Sequence, residues 1–112
     1  MQKPIQITFH DIPHSEALEA RIREKADKLE SFYPHITSCR VVVEERNRHR
    51  QQGKQFCIRL DVRVPEHEIV VNRDHDEDVY VALRDAFDAA KRQLEDVARR
   101  QRGDVKTHGG AG

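Results

Sequence analysis

Four stretches of alternating apolar and polar residues, and two longer stretches with apolar residues three and four apart, predict an α+β fold for this 112-residue chain. Their order is β-α-β-β-β-α. The architecture expected is two-layered, a four-stranded sheet with both helices packed on one face. Turn and breaker residues stand at the junctions, which separates the elements along the chain.

Ile5, Ile7 and Phe9 alternate with Gln6, Thr8 and His10, the pattern of a half-buried first strand. Pro13-His14-Ser15 breaks it, and Ser15 is placed to cap a helix. From Glu16, apolar residues recur at Leu18, Ile22, Ala26, Leu29 and Tyr33, and Pro34 ends that helix at or before Tyr33. Cys39, Val41 and Val43 alternate with Arg40, Val42 and Glu44 in a second strand. Phe56, Ile58, Leu60, Val62 and Val64 alternate with Cys57, Arg59, Asp61 and Arg63 in a third, joined to the second by a polar hairpin loop from Arg46 to Gln55. Pro65-Glu66-His67 turns the chain into a fourth strand carrying Ile69 and Val71. The last helix follows, with Val79/Tyr80, Leu83, Phe87, Ala90, Leu94 and Val97 on its apolar stripe.

The first strand is expected to reach the second by a right-handed crossover through the first helix, and the remaining strands to pair as antiparallel hairpins. Arg40, Val42, Arg59, Asp61 and Arg63 then occupy the face without helices. The length suits one core, so residues 1–102 are expected to form one domain, with 103–112 a flexible C-terminal tail ending Gly-Gly-Ala-Gly.

Hydrophobic residues make up 37% and charged residues 36% of the chain, a polar but foldable composition. With no Trp and 5% aromatics, the core is expected to be aliphatic. No apolar run approaches the roughly 20 residues that span a bilayer, so the protein reads as cytoplasmic, with no membrane partner. Two cysteines make no disulfide framework. Alternation puts Cys39 on the inner face and Cys57 on the other, where it is expected to be more exposed.

Lys+Arg and Asp+Glu both number 20, so net charge selects no partner. Charge is nonetheless segregated. Residues 66–78 are acidic, while Arg46, Arg48, Arg50 and Lys54, and again Arg99, Arg100, Arg102 and Lys106, are basic.

Asp74, Asp76 and Asp78 have the spacing of the first ligands of a calcium loop, but Val79 stands where such a loop needs glycine. The favoured reading has these acids capping the positive end of the last helix. His10 and His14 could meet His35 as a zinc cluster, against which stands the default of scattered surface histidines. No phosphate-cradling glycine loop, nucleophile elbow or framed carboxylate pair is present. No catalytic residue, metal, cofactor or small-molecule substrate is expected.

The helix cations remain. Arg21, Lys25 and Lys28 line one flank of the first helix; Arg92 and Arg99 stack on the second, beside a row of Arg84 and Lys91. With the helices side by side, these flanks could border one groove suited to a phosphate backbone. The competing reading pairs them with Glu24, Asp88, Glu95 and Asp96.

Lys28-Leu29-Glu30, Glu77-Asp78-Val79-Tyr80-Val81-Ala82 and Arg92-Gln93-Leu94, set in this order of elements, give a chain that over residues 3–100 resembles the ribosome hibernation-promoting factor family, also called protein Y or ribosome-associated translation inhibitor. The resemblance implies a translation inhibitor that binds small-subunit rRNA in the channel of mRNA and tRNA. It implies the short form, without a C-terminal dimerisation domain. The family's basic positions are matched at Lys25, Lys28 and Arg92, and the expected RNA-binding set is Arg21, Lys25, Lys28, Lys91, Arg92, Arg99 and Arg100. The chain departs from the family at Ala89, where a lysine is usual, and at Asp96, which implies weaker rRNA binding unless the hairpin and Arg99-Arg100-Arg102 compensate. The alternative is a protein-interaction module on the same fold, docking a basic partner through residues 66–78.

Overall fold

The computed structural model describes residues 1–47, 54–76 and 78–111, with side chains at 1–46, 55–74 and 78–102. The elements are β1 (Gln6–His10), α1 (Glu16–Phe32), β2 (Ser38–Asn47), β3 (Lys54–Val64), β4 (His67–Asp76) and α2 (Val79–Ala111). They form one sheet in the order β1-β2-β3-β4. β1 runs parallel to β2, with Ile7 opposite Val41. β2, β3 and β4 are an antiparallel meander in which Val41, Leu60 and Val71 stand in one rank.

That register decides which residues meet the helices. Cys39, Val41, Val43, Ile58, Leu60, Val62, Val64, Ile69 and Val71 point inward and are buried with Leu18, Ile22, Ala26 and Leu29 of α1 and with Leu83, Phe87, Ala90 and Leu94 of α2. Val42, Arg59 and Asn72 form the opposite rank, on the face the helices leave bare. The expected layers and inner face are therefore those observed. Among the described residues the buried set contains no polar or charged side chain, so burial of aliphatic surface stabilises the fold, at about 25 cal/mol per Å² removed from water.

Local chemistry sets the element ends. The Ser15 Oγ accepts a hydrogen bond from the Leu18 amide at 3.2 Å, capping α1. At its other end the Tyr33 amide closes on the Leu29 carbonyl at 2.8 Å, and Pro34 prevents continuation. Glu66, at φ 71, turns β3 into β4 after Pro65. The Asp78 carboxylate accepts from the amides of Tyr80 at 2.9 Å and Val81 at 3.3 Å, so one acid of the 66–78 region caps α2 as expected.

Asp74 and Asp76 do not. They extend β4, opposite Cys57 and Gln55, where ladder hydrogen bonds outweigh their low strand propensity. Both positions fall within β4 and end before α2 begins at Val79, so they do not stand at its first turn as caps. The loop residues 48–53, including Arg48 and Arg50, and Glu77 lie outside the described residues.

Candidate nucleic-acid interface

α1 and α2 run in the same direction. Arg21 sits over the ring of Tyr80 at 5.4 Å, and Lys91 over the ring of Phe32 at 4.8 Å, each pair bridging the two helices. The step from Arg21 to Phe32 equals that from Tyr80 to Lys91, so the facing flanks keep register along that length. On α1 that flank is Arg21, Lys25, Lys28 and Phe32, one step round from the buried Ile22, Ala26 and Leu29.

Between the flanks runs a shallow groove of about 180 Å³, lined by Lys25, Lys28, Leu29, Phe32, Phe87, Asp88 and Lys91. Three ammonium groups and one carboxylate thus share a partly apolar floor. Phe32 is 41% and Tyr80 39% exposed. Each aromatic ring therefore meets a cation and still faces water, an arrangement worth about 0.5–1 kcal/mol per pair at exposed sites.

The two readings of the helix cations are each met in part. Arg21 pairs with Glu24 at 3.5 Å, Arg99 with Asp96 at 3.7 Å, and Arg84 with Asp85 at 3.4 Å. These are exposed pairs of little energetic weight. Among the described residues, Lys25, Lys28, Lys91 and Arg92 have no acidic partner within ion-pair distance. Arg100 and Arg102 likewise have none, but Lys25, Lys28 and Lys91 are the ones that line a single groove.

Of the seven residues selected from sequence, Lys25, Lys28 and Lys91 converge on the groove, with Arg21 beside it at Tyr80. Arg92 is one residue, about 100° of helix turn, away from Lys91, and Arg99 lies two turns further on in the same row. Both are exposed. Arg100 lines a separate recess with His67, Glu68, Gln93 and Asp96, beside β4.

Tyr80 is not part of the core, as its place on the apolar stripe had suggested; it stands in the first turn of α2, against Arg21. Ala89 is 3% exposed. Its position faces the packed side of α2 and is not among the residues that line the groove. Phe32 was missed from sequence, although its place four residues after Lys28 puts it on the cationic flank.

The acidic region 66–78 does not gather into one patch among the described residues. Glu66 occupies a turn, Glu68 pairs with Arg63 at 3.4 Å on the open sheet face, Asp74 lies in β4 and Asp78 caps α2. The proposed zinc histidines also separate. His10 pairs with Glu44 at 3.2 Å and Asp11 at 3.4 Å, His14 bonds Glu19 at 2.7 Å, and His35 packs edge-on against Tyr33.

Cys39 and Cys57 are free and lie on opposite faces of the sheet. Cys57 is only 8% exposed, contrary to expectation, because Glu44 and Asp74 flank it in register and close over it. Burial, helped by the nearby Asp61 charge, pushes the Cys39 thiol up to about 12. Burial and a hydrogen bond to Asp74 push Cys57 up to about 11.

Thiols in the unfolded chain ionise near 9.0. Above that pH the folded state holds protons the unfolded state has lost, so stability is full below pH 9.0 and falls as pH rises toward 11 and 12. Alkylation by iodoacetamide at neutral pH, followed by mass spectrometry, is expected to modify neither cysteine in the native protein and both in urea. Rapid native labelling of Cys57 would contradict its burial.

No helix among the described residues is long and apolar enough to cross a membrane. Residues 5–102 match the family described as "Sigma 54 modulation protein / S30EA ribosomal protein". No match was found among curated proteins. Among solved structures, a ribosomal subunit interface protein from Coxiella burnetii is similar at 17% identity and a TM-score of 0.70, over 84% of this chain and 96% of that one. The N-terminal domain of Protein Y from Thermus thermophilus is similar at 16% identity and a TM-score of 0.70, over 85% and 99%. At these identities the likeness shows a shared fold.

Proposed function

Because the chain belongs to the sigma 54 modulation protein / S30EA ribosomal protein family, we propose that it is a ribosome-associated translation inhibitor that works by binding rather than catalysis. It docks on the rRNA of the small subunit, in the channel that mRNA and tRNA otherwise occupy, and holds idle ribosomes silent under stress. Its place of action is the cytoplasm, and no cofactor or small-molecule substrate takes part.

The observation that carries this reading is the set of unpaired cations Lys25, Lys28, Lys91 and Arg92 on and beside one groove between parallel helices. Phosphate oxygens supply the missing charge. Contacts of this kind position a protein on a folded RNA by shape and are weakened by salt. Among the described residues, Glu66, Glu68, Asp74 and Asp78 stand in a turn, a strand and a helix cap, which favours the cationic groove over the alternative protein-docking surface.

The test is co-sedimentation with purified small subunits over a salt series, with tRNA and an mRNA fragment as competitors. Salt-sensitive binding that either competitor displaces is expected. Binding that is indifferent to salt and to both competitors would refute the channel assignment.

Residues 1–102 are proposed to be the functional domain. Among the described residues the core reaches no further than Val97. A chain ending at Arg102 is therefore expected to keep its melting temperature within about 4 °C and to bind subunits as the longer chain does.

A further inference from the structure

We propose that Phe32 and Tyr80 are stacking platforms for unpaired nucleobases, so that the groove between α1 and α2 takes single-stranded in preference to duplex RNA. This rests on the RNA-binding reading above and adds a specificity that phosphate contacts lack.

The two rings are unlike the other large apolar residues of the helices. Leu18, Ile22, Leu83 and Leu94 are buried, whereas Phe32 and Tyr80 keep 41% and 39% of their surface in water. Single exposed aromatics are ordinary. Here there are two, each on a flank facing the other helix and each beneath a cation from that helix. They stand about 16 Å apart along the axes, with Lys25 and Lys28 between them.

A cation resting on a ring in water is held loosely, and stacking of a base on the same ring is the stronger interaction. An unpaired nucleotide offers both replacements at once. Its base covers the ring, and its phosphate receives the displaced Arg21 or Lys91. A duplex keeps its bases stacked inside and offers phosphate alone. An acidic peptide offers carboxylates but no flat ring for each platform. The groove is also small, at about 180 Å³.

The experiment measures binding of the full chain to four labelled probes by fluorescence anisotropy. They are a mixed-sequence single-stranded RNA, an abasic strand with the same number of phosphates, a duplex of matched charge, and a poly-glutamate of matched charge. The single strand is expected to bind about tenfold or more tighter than the abasic strand and the duplex. Phe32→Leu with Tyr80→Leu is expected to erase that difference while leaving the salt dependence in place. Phe32→Tyr with Tyr80→Phe, which keep both rings, are expected to preserve it.

Equal, salt-sensitive binding of single strand and abasic strand would overturn the stacking proposal and leave the phosphate reading standing. So would a preference that survives the double leucine variant. Failure to bind any RNA probe, or tighter binding of poly-glutamate, would overturn both.

Discussion

Reversing Lys25, Lys28 and Lys91 to glutamate together is expected to abolish detectable co-sedimentation with small subunits at physiological salt. The three ammonium groups line one groove, and among the described residues none has an acidic partner. Each contact with a phosphate releases condensed counterion and contributes roughly 0.7–0.9 to the slope of log affinity against log salt. Losing three should flatten that slope by about 2–3.

Over a fourfold rise in salt, the wild-type protein should then lose affinity roughly 20–60-fold more steeply than the variant. Arg100→Glu is the internal control. Arg100 lines a recess beside β4 with His67 and Glu68, and its reversal should leave subunit binding nearly unchanged. A triple variant that binds with the wild-type slope, or an Arg100→Glu variant that loses binding equally, would show that the groove is not the contact. Because the three lysines are not engaged in ion pairs, the triple variant is expected to fold, and its circular dichroism should match the wild type.

The largest effect on stability is expected from Leu60→Ala. Leu60 is fully buried at the middle of β3, flanked in register by Val41 of β2 and Val71 of β4. Truncation there removes apolar burial and leaves a cavity that a sheet paired on both sides cannot close. The loss should be about 3–5 kcal/mol, enough to lower the melting temperature by about 12 °C or more.

Val42→Ala provides the contrast. Val42 is one register step away in the meander but on the face without helices, and its truncation should shift the midpoint far less. Chemical denaturation of both variants with an unchanged m-value is the check. Similar losses from the two would mean that the bare face is covered by something the fold does not supply.

The elements were legible where periodicity was strong. The alternation from Phe56 to Val64 and the spacing from Leu18 to Tyr33 marked a strand and a helix whose inner faces the structure reproduces. β4 was legible only at Ile69 and Val71. Its continuation through Asn72, Arg73 and Asp74 carries no apolar alternation, and the ladder to β3 holds it extended. The same cause misassigned Asp74 and Asp76 to a helix cap.

On α2, spacing alone gave Tyr80 and Leu83 equal claims to the core. Only the position of α1 reveals that Tyr80 meets Arg21. The burial of Ala89 was hidden for a like reason, since an alanine reads as well on a solvated face as on a packed one. The cations of the site could be picked out as rows along each helix. That Lys25, Lys28 and Lys91 share a groove while Arg100 does not depends on which flanks face each other, a tertiary fact.

The parallel pairing of β1 with β2 also bears on how the molecule assembles and opens. His10 and Glu44, opposite each other in that ladder, are 34 residues apart in the chain, whereas β2, β3 and β4 follow one another directly. Closing the longer loop is the more expensive entropic step. The meander can therefore form as a nucleus on which β1 and α1 dock late, and the same N-terminal segment is the natural unit of partial opening.

Arg21, Lys25, Lys28 and Phe32 all travel with that segment. Whenever it lifts away, α2 keeps Lys91 and Arg92 but half the groove is gone. A bound strand must then hold the segment closed, so occupancy should register as slowed amide hydrogen exchange along α1, with β3 already protected in the free protein.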